Sequence, residues 1–250
     1  IVTKRPSSAF GGTAHLEYGE YNSLLARASV TGPLTSDGSL SFRLSGAYRN
    51  QDAFTENLTG GKDPGDVDSG GVRGQLQYEN GPLTVLLSGD YFKARNGQTN
   101  QFISSPNVAA LVDPTLPQPT DQSFYKHYYN LIGYENQDVY NLSGRIELET
   151  GIGTITSISA YRHNKFKRRQ DQDGTIYDSF DLFSSEIDKT FSQELRLVGD
   201  AADDRIHYVA GVYYYDADIE SDFIVNAGPA FPLAVVRGGT AIDSRTLSTK

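Results

Sequence analysis

The sequence predicts an all-β chain, part of an antiparallel up-and-down transmembrane β-barrel. Three observations carry that expectation: apolar and polar residues alternate along most segments, short and long connections alternate between them, and tyrosines collect at the ends of the apolar tracks. Alternation with period two marks a ribbon with one face in an apolar medium and the other in water.

Leu24, Ala26, Ala28 and Val30 alternate with Leu25, Arg27, Ser29 and Thr31; a turn over 32–38 then leads to Leu40, Phe42, Leu44, Gly46 and Tyr48 against Ser41, Arg43, Ser45, Ala47 and Arg49. Val72, Gly74, Leu76 and Tyr78 oppose Arg73, Gln75, Gln77 and Glu79. After Asn80-Gly81-Pro82 come Leu83, Val85, Leu87, Gly89 and Tyr91, and these two runs make a hairpin. Tyr140, Leu142, Gly144, Ile146 and Leu148 oppose Asn141, Ser143, Arg145, Glu147 and Glu149. A segment from Thr154 to Phe166 follows with mixed parity. Phe191, Gln193, Leu195 and Leu197 alternate with Ser192, Glu194 and Arg196, and Ile206, Tyr208, Ala210, Val212 and Tyr214 complete a count of about nine or ten strands.

The connections after Thr31, Glu79, Glu149 and Gly199 are short, whereas those after Arg49, Arg95, Phe166 and Ile219 are expected to run to roughly 20–40 residues, which gathers every long loop at one end. Soluble sandwiches alternate apolar and polar residues too. Loop asymmetry favours the membrane barrel, with its short periplasmic turns and long outer loops. Each of the segments Leu40 to Tyr48, Leu83 to Tyr91 and Tyr140 to Leu148 covers about eight steps, roughly 26 Å along the strand and ~20 Å after tilting, close to an outer-membrane apolar band. Tyr48, Tyr91, Tyr140 and Tyr214 carry the apolar parity at the long-loop end, with Tyr78 and Tyr208 at the other rim, as aromatic girdles do.

Composition narrows the function classes. The net charge of −9 argues against nucleic acid as a partner. The absence of cysteine excludes a disulfide framework, a thiolate nucleophile and a Cys-based zinc site. His15, His127, His163 and His207 lie far apart, with no HExxH pair and no G-x-S-x-G elbow, so an enzyme is not expected and no cofactor is implied. The chain opens at Ile1-Val2-Thr3 without Met and stops as another alternating segment begins, which reads as an internal stretch of a longer protein.

The opening "IVTKRP" (Ile1 to Pro6), "GGTAHLEYGEYNS" (Gly11 to Ser23), "VTGPL" (Val30 to Leu34) and "FSQELRL" (Phe191 to Leu197) occur in an order and spacing that resemble the TonB-dependent outer-membrane receptors. The resemblance implies that residues 1–10 close the plug domain and link it to the barrel. Residues 11–250 would then form the amino-terminal part of a barrel of ~22 strands, the size associated with a plugged lumen. It implies an outer-membrane location in a Gram-negative bacterium. It also implies TonB-coupled import of a nutrient: a ferric siderophore first, with cobalamin, haem or a saccharide as other classes. The implied partners are the TonB-ExbB-ExbD complex through the plug, outer-membrane lipid with lipopolysaccharide, and the small-molecule nutrient. A passive porin-like channel and a soluble β-rich binding or adhesion module are the alternatives.

Candidate ligand contacts are Phe124, Tyr125, Lys126, His127, Tyr128 and Tyr129 in "DQSFYKHYYN", where aromatic rings and cations suit a flat or chelated ligand. Lys165, Lys167, Arg168 and Arg169 in "HNKFKRRQ" form a basic strand end able to attract anionic complexes or lipopolysaccharide phosphates. Arg27, Arg43, Arg73, Gln75, Arg145, Glu147, Glu194 and Arg196 take the polar parity and are expected to face the lumen or plug. "DPGDVDSG" (Asp63 to Gly70) and "DQDG" (Asp171 to Gly174) hold spaced carboxylates but lack a complete calcium loop, and read as turns. Asn57-Leu58-Thr59 and Asn141-Leu142-Ser143 match a glycosylation pattern that has no use in this setting.

Overall fold

The computed structural model describes residues 3–98, 125–176, 178, 180–201 and 205–227, together with the strand backbone of 236–249. Ten strands form one antiparallel sheet. They are β1 (Gly11–Gly19), β2 (Ser23–Pro33), β3 (Leu40–Gln51), β5 (Val67–Asn80), β6 (Leu83–Gly97), β8 (Tyr134–Thr150), β9 (Gly153–Asp171), β10 (Phe180–Ala201), β11 (Ile206–Ala227) and β12 (Val236–Thr249). Each pairs with the next in chain order, the up-and-down meander that the alternation predicts. Two short strands, β4 (Glu56–Asn57) and β7 (Lys126–His127), pair with each other in parallel outside this sheet.

Directly opposed residues share a face, so the register sorts every side chain. Leu44 lies opposite Gly74, Gly74 opposite Gly89, and Gly89 opposite Leu142. That row continues through Tyr161 to Phe191, wholly on one face. Leu44 is 53% exposed, Leu87 52% and Leu142 64%, although these are the residues a soluble sandwich would bury. Among the described residues no second sheet covers them, and the buried apolar residues are few: Ala94, Tyr129, Val139, Leu182 and Ala217. The other face carries Arg43, Gln75, Ser88, Ser143 and Ala160 in continuous rows. Residues 3–7 lie on that polar face, where the Ser7 backbone N–H donates to Thr31 Oγ1 at 2.9 Å and Arg5 reaches Glu147 at 3.8 Å. The polar face is therefore called inner and the apolar face outer.

The turns at the lower end are tight. Thr150 Oγ1 accepts a hydrogen bond from the Ile152 N–H at 3.3 Å, and the chain reverses through Gly153 at φ 118°, a conformation open to glycine. At the upper end β1 and β2 are joined through Tyr21 and Asn22, both left-handed at φ 56° and 51°, which suits a tight hairpin. Two expected long loops are corrected. After Phe166 the ribbon continues to Asp171, leaving only 172–179 as the connection, and after Ile219 it continues to Ala227. Here β9, β10 and β11 reach 19, 22 and 22 residues because, above the apolar band, hydrogen bonding alone extends the ribbon. The connection 98–133 is long, as expected, whereas 52–66 is shorter than expected because β3 runs on to Gln51 and β5 begins at Val67.

The register also resolves the mixed parity of β9. Ile155, Ser157, Ser159 and Tyr161 face outward, opposite Leu148, Ile146, Gly144 and Leu142, while Ile158 faces inward beside Arg145. Aromatic rings line the outer face on neighbouring rungs: Tyr91 and Tyr140 stack at 4.8 Å, Tyr140 lies 6.1 Å from His163, and one rung lower Phe191 lies 6.4 Å from Tyr214.

Candidate functional site

All eight polar-parity residues singled out in the sequence, Arg27, Arg43, Arg73, Gln75, Arg145, Glu147, Glu194 and Arg196, fall on the inner face by register. Two networks hold this face in place. Arg73 donates from Nε and Nη2 to Asp90 Oδ1 at 3.1 and 2.7 Å, and Asn141 Nδ2 donates to Asp90 Oδ2 at 2.6 Å. Arg145 pairs with Glu147, which also meets Arg5, and Arg196 lies 3.4 Å from Glu194. A cavity of about 810 Å³ opens between residues 3–4 and strands β1, β2, β3, β5 and β6. Lys4, Arg27, Arg43, Arg49 and Arg73 line it against a single carboxylate, Asp90. This basic concavity belongs to a chain whose net charge is −9, so its local charge is opposite in sign to that of the whole.

At the upper end, β4 and β7 tie the connection 52–66 to the segment that follows residue 124. The Glu56 N–H donates to Tyr125 O at 2.8 Å and the Leu58 N–H donates to His127 O at 2.8 Å. Asn57 is the hub of this junction and is buried. Its N–H donates to Asp63 Oδ1 at 2.7 Å, and Thr59 Oγ1 donates to Tyr129 O at 2.6 Å beside it.

This junction separates the aromatic candidates. His127 and Tyr129 are withdrawn into the loop core, 4% and 3% exposed, with rings 5.3 Å apart. Tyr128 is partly buried, Tyr125 is exposed, and Lys126 pairs with Glu56 at 3.4 Å. Phe124 lies outside the described residues. Sequence reading missed the partners of Tyr125: its ring lies 6.4 Å from Phe54, which lies 6.3 Å from Tyr21, all edge-on and exposed. No local signal marks that row, because three separate connections contribute one ring each. Neither glycosylation-like asparagine is displayed: Asn57 is buried and Asn141 is bonded to Asp90 on the inner face.

The basic run on β9 also divides. Lys165, Lys167 and Arg169 carry the outer parity and are exposed, and Arg169 pairs with Asp181 at 3.2 Å. Arg168 carries the inner parity, with a buried Nε that no acceptor meets. Above the run, Asp171 gathers backbone donors from two segments. Oδ1 accepts from Asp173 and Gly174 at 3.2 and 2.9 Å, and Oδ2 accepts from Asn130 and Leu131 at 3.1 and 3.4 Å. Burial, together with the charge of Asp173, pushes the Asp171 carboxyl up to about 7 against the pull of those donors. Asp173 is likewise occupied, by Thr175 and by the Phe180 N–H at 2.8 Å. Both aspartates thus build the turn expected of them.

A single antiparallel meander with an apolar, tyrosine-banded outer face and a charged inner face is the wall of a transmembrane β-barrel. Its fold is that of the barrels of outer-membrane siderophore receptors. The ferric yersiniabactin uptake receptor FyuA from Yersinia pestis matches with a TM-score of 0.77 at 17% identity, over 100% of this chain and 37% of that one. The ferripyoverdine receptor of the outer membrane of Pseudomonas aeruginosa, solved with ferripyoverdine bound, matches with 0.68 at 15%, over 98% and 35%. The siderophore receptor PiuA from Acinetobacter baumannii matches with 0.65 at 13%, over 99% and 40%. At these identities the likeness is one of fold, and this chain spans well under half the length of each receptor. No family model and no curated protein matches the sequence.

Proposed function

We propose that this chain belongs to an outer-membrane receptor of a Gram-negative bacterium that captures an extracellular nutrient, a ferric siderophore first among the classes, and imports it with TonB-coupled energy. The observation that supports the reading is the sorted wall: apolar residues outward, a basic concavity inward, in a fold shared along nearly the whole chain with three siderophore receptors. Residues 1–10 act as the end of the plug and its linker, in keeping with the position of residues 3–7 against the inner face. The TonB-ExbB-ExbD complex engages the plug. The exposed row of Tyr21, Phe54 and Tyr125, with Lys126 beside it, offers the first contact for a chelate with a flat aromatic rim. The lysines and arginines of the inner cavity draw an anionic complex onward.

The test is growth of a strain lacking the gene on a panel of single iron chelates, cobalamin, haem and saccharides, with and without TonB. The expected result is loss of growth on one ferric chelate, matched by the loss of TonB. Unchanged growth throughout, or uptake that persists without TonB, overturns the proposal.

A further inference from the structure

The carboxylates at the top of β9 and β10 outnumber the cations that face them. Asp181 stands opposite Asp171 on the ladder, and Arg169 lies lower on the same face. Beside them is a cavity of about 160 Å³, lined by the acids Asp173, Asp178 and Asp181, by Arg169, and by Asn130, Leu131 and Phe180. Three carboxylates thus meet one guanidinium. Asp173 is committed to the turn, its Oδ1 accepting from the Thr175 N–H and its Oδ2 from the Phe180 N–H. Asp181 is 8% exposed; Arg169 Nη2 reaches its Oδ2 at 3.2 Å, while its Oδ1 is buried and meets no donor. Asp178 is exposed and forms no ion pair among the described residues.

A buried acceptor without a donor is costly, and so is like charge brought together out of water. Burial first, and then the charge of Asp173, raise the neighbouring Asp171 carboxyl to about 7, in keeping with a surplus of negative charge here. The connections beside the cavity offer no relief: residues 99–124 and 172–180 contain no lysine, arginine or histidine. A counter-charge therefore has to come from elsewhere.

The walls select its chemistry. Among the described residues no three acidic or histidine side chains converge as metal ligands, which disfavours a bare ion. Leu131 and Phe180 add an aliphatic and an aromatic wall to the carboxylates. A cavity of ~150 Å³ holds a molecule as large as benzene, so a short alkyl chain fits together with a charged head. An ammonium brings N–H donors and no acceptor, and an aromatic face attracts the same cation.

We infer that the cavity between Asp173, Asp178 and Asp181 binds a protonated primary alkylamine, its ammonium donating to Asp178 and Asp181 and its stem lying against Leu131 and Phe180. Asp171, the rung partner of Asp181, lies ten residues beyond Tyr161, roughly 33 Å along the strand, so the site stands clear of the apolar band. Its parity is outward, away from the lumen, and the site goes beyond the import reading: it holds whichever nutrient is taken up. Occupancy bridges Asn130 and Leu131 to the β9–β10 turn and braces the connection that carries Tyr125 and Lys126.

The experiment uses the full-length protein in nanodiscs of zwitterionic phospholipid, with n-butylammonium as the probe, followed by saturation-transfer NMR at low salt against empty nanodiscs. Saturable binding is expected. Tetramethylammonium, which has the charge but no N–H, is expected to bind at least about tenfold more weakly. Amide exchange at Asn130 and Leu131 slows with the primary amine only. Asp178→Asn is expected to weaken the amine about tenfold and, because Asp178 is exposed and pairs with no described residue, to leave the turn in place. Asp181→Asn weakens it further. Absence of saturable binding, equal binding of tetramethylammonium, displacement of the amine by an equimolar amount of calcium, or an Asp178→Asn protein that binds as the wild type does overturns the site. None of these outcomes bears on whether the receptor imports a chelate.

Discussion

Asn57 grips the backbone of Tyr129 from both sides, its Nδ2 donating to Tyr129 O at 3.1 Å and its Oδ1 accepting from the Tyr129 N–H at 3.0 Å. Such a pair of bonds reproduces a rung of β-ladder with a side chain, and it joins two connections more than 70 residues apart in sequence. Asn57→Ala removes the acceptor of the Tyr129 N–H at a cost of about 1–3 kcal/mol, while the Tyr129 carbonyl keeps its bond from Thr59 Oγ1. The loss falls on the junction rather than on the barrel. Limited proteolysis is expected to cut the connection 52–66 faster in the variant, while the heat-induced mobility shift of the folded barrel on a gel stays in place. A variant cut at the wild-type rate would show that β4 and β7 do not depend on this clamp.

Asp171 makes the upper edge of the wall sensitive to pH. It stands ten residues beyond Tyr161, well above the aromatic level, and its carboxyl is raised from 3.8 to about 7. The folded chain therefore binds this proton more tightly than the unfolded chain does. The stabilising contribution is complete below the ordinary aspartate range and is lost as pH rises through about 7. Hydrogen-exchange protection of the Asn130, Leu131 and Gly174 amides, corrected for intrinsic rates, is expected to fall between pH ~4 and ~7 and to level off above. Asp171→Asn is expected to flatten the profile. Protection that climbs with pH would reverse the sign and dismiss burial as the governing cause.

The parts of this structure that were legible in the sequence share one property: their surroundings change every second residue. Leu40 to Tyr48 and Tyr140 to Leu148 cross an apolar medium on one side and a wet interior on the other, so composition records the face directly. The β9 segment hid its register because Ser157 and Ser159 point outward and Ile158 inward, a local inversion that only pairing with β8 and β10 reveals. The upper halves of β9, β10 and β11 lie beyond the apolar band, where no alternation is demanded and a ribbon looks like a loop. The candidate site was legible in residue type but not in arrangement. His127 and Tyr129 look like their neighbour Tyr125 until the Asn57 clamp buries them, and the rings that meet Tyr125 come from other connections.

Adjacent leucines on β6 give a direct test of which face touches lipid. Leu87 points outward, opposite Leu76 and Gly144, and Leu86 points inward, opposite Gln77 and Arg145. Leu87→Arg places a cation in the apolar band and is expected to destabilise the folded barrel in phospholipid by about 2–4 kcal/mol, whereas Leu86→Arg meets a polar interior and changes stability far less. Urea unfolding of the two full-length variants in vesicles reads the difference. Equal losses, or a larger loss for Leu86→Arg, would mean that the outward leucines are not in hydrocarbon.

One polar cluster sits on the same lipid-facing side and behaves in the opposite sense. Gln193 opposes Ser159 across β9 and β10; Ser159 Oγ donates to Gln193 Oε1, and Gln193 Nε2 donates to Ser157 Oγ at 3.0 Å and to Glu194 O at 3.1 Å. In hydrocarbon no water replaces a lost partner, so the amide is tolerable because the two hydroxyls and the Glu194 carbonyl together satisfy it. Ser157→Ala combined with Ser159→Ala leaves the amide with only the Glu194 carbonyl and is expected to cost about 1–3 kcal/mol. Adding Gln193→Leu removes the stranded group and is expected to return most of that loss, since replacing every partner by apolar surface is nearly neutral. A double-mutant cycle in vesicles isolates the coupling. If the triple variant is as unstable as the double, the amide was solvated elsewhere and the three side chains do not act as a unit.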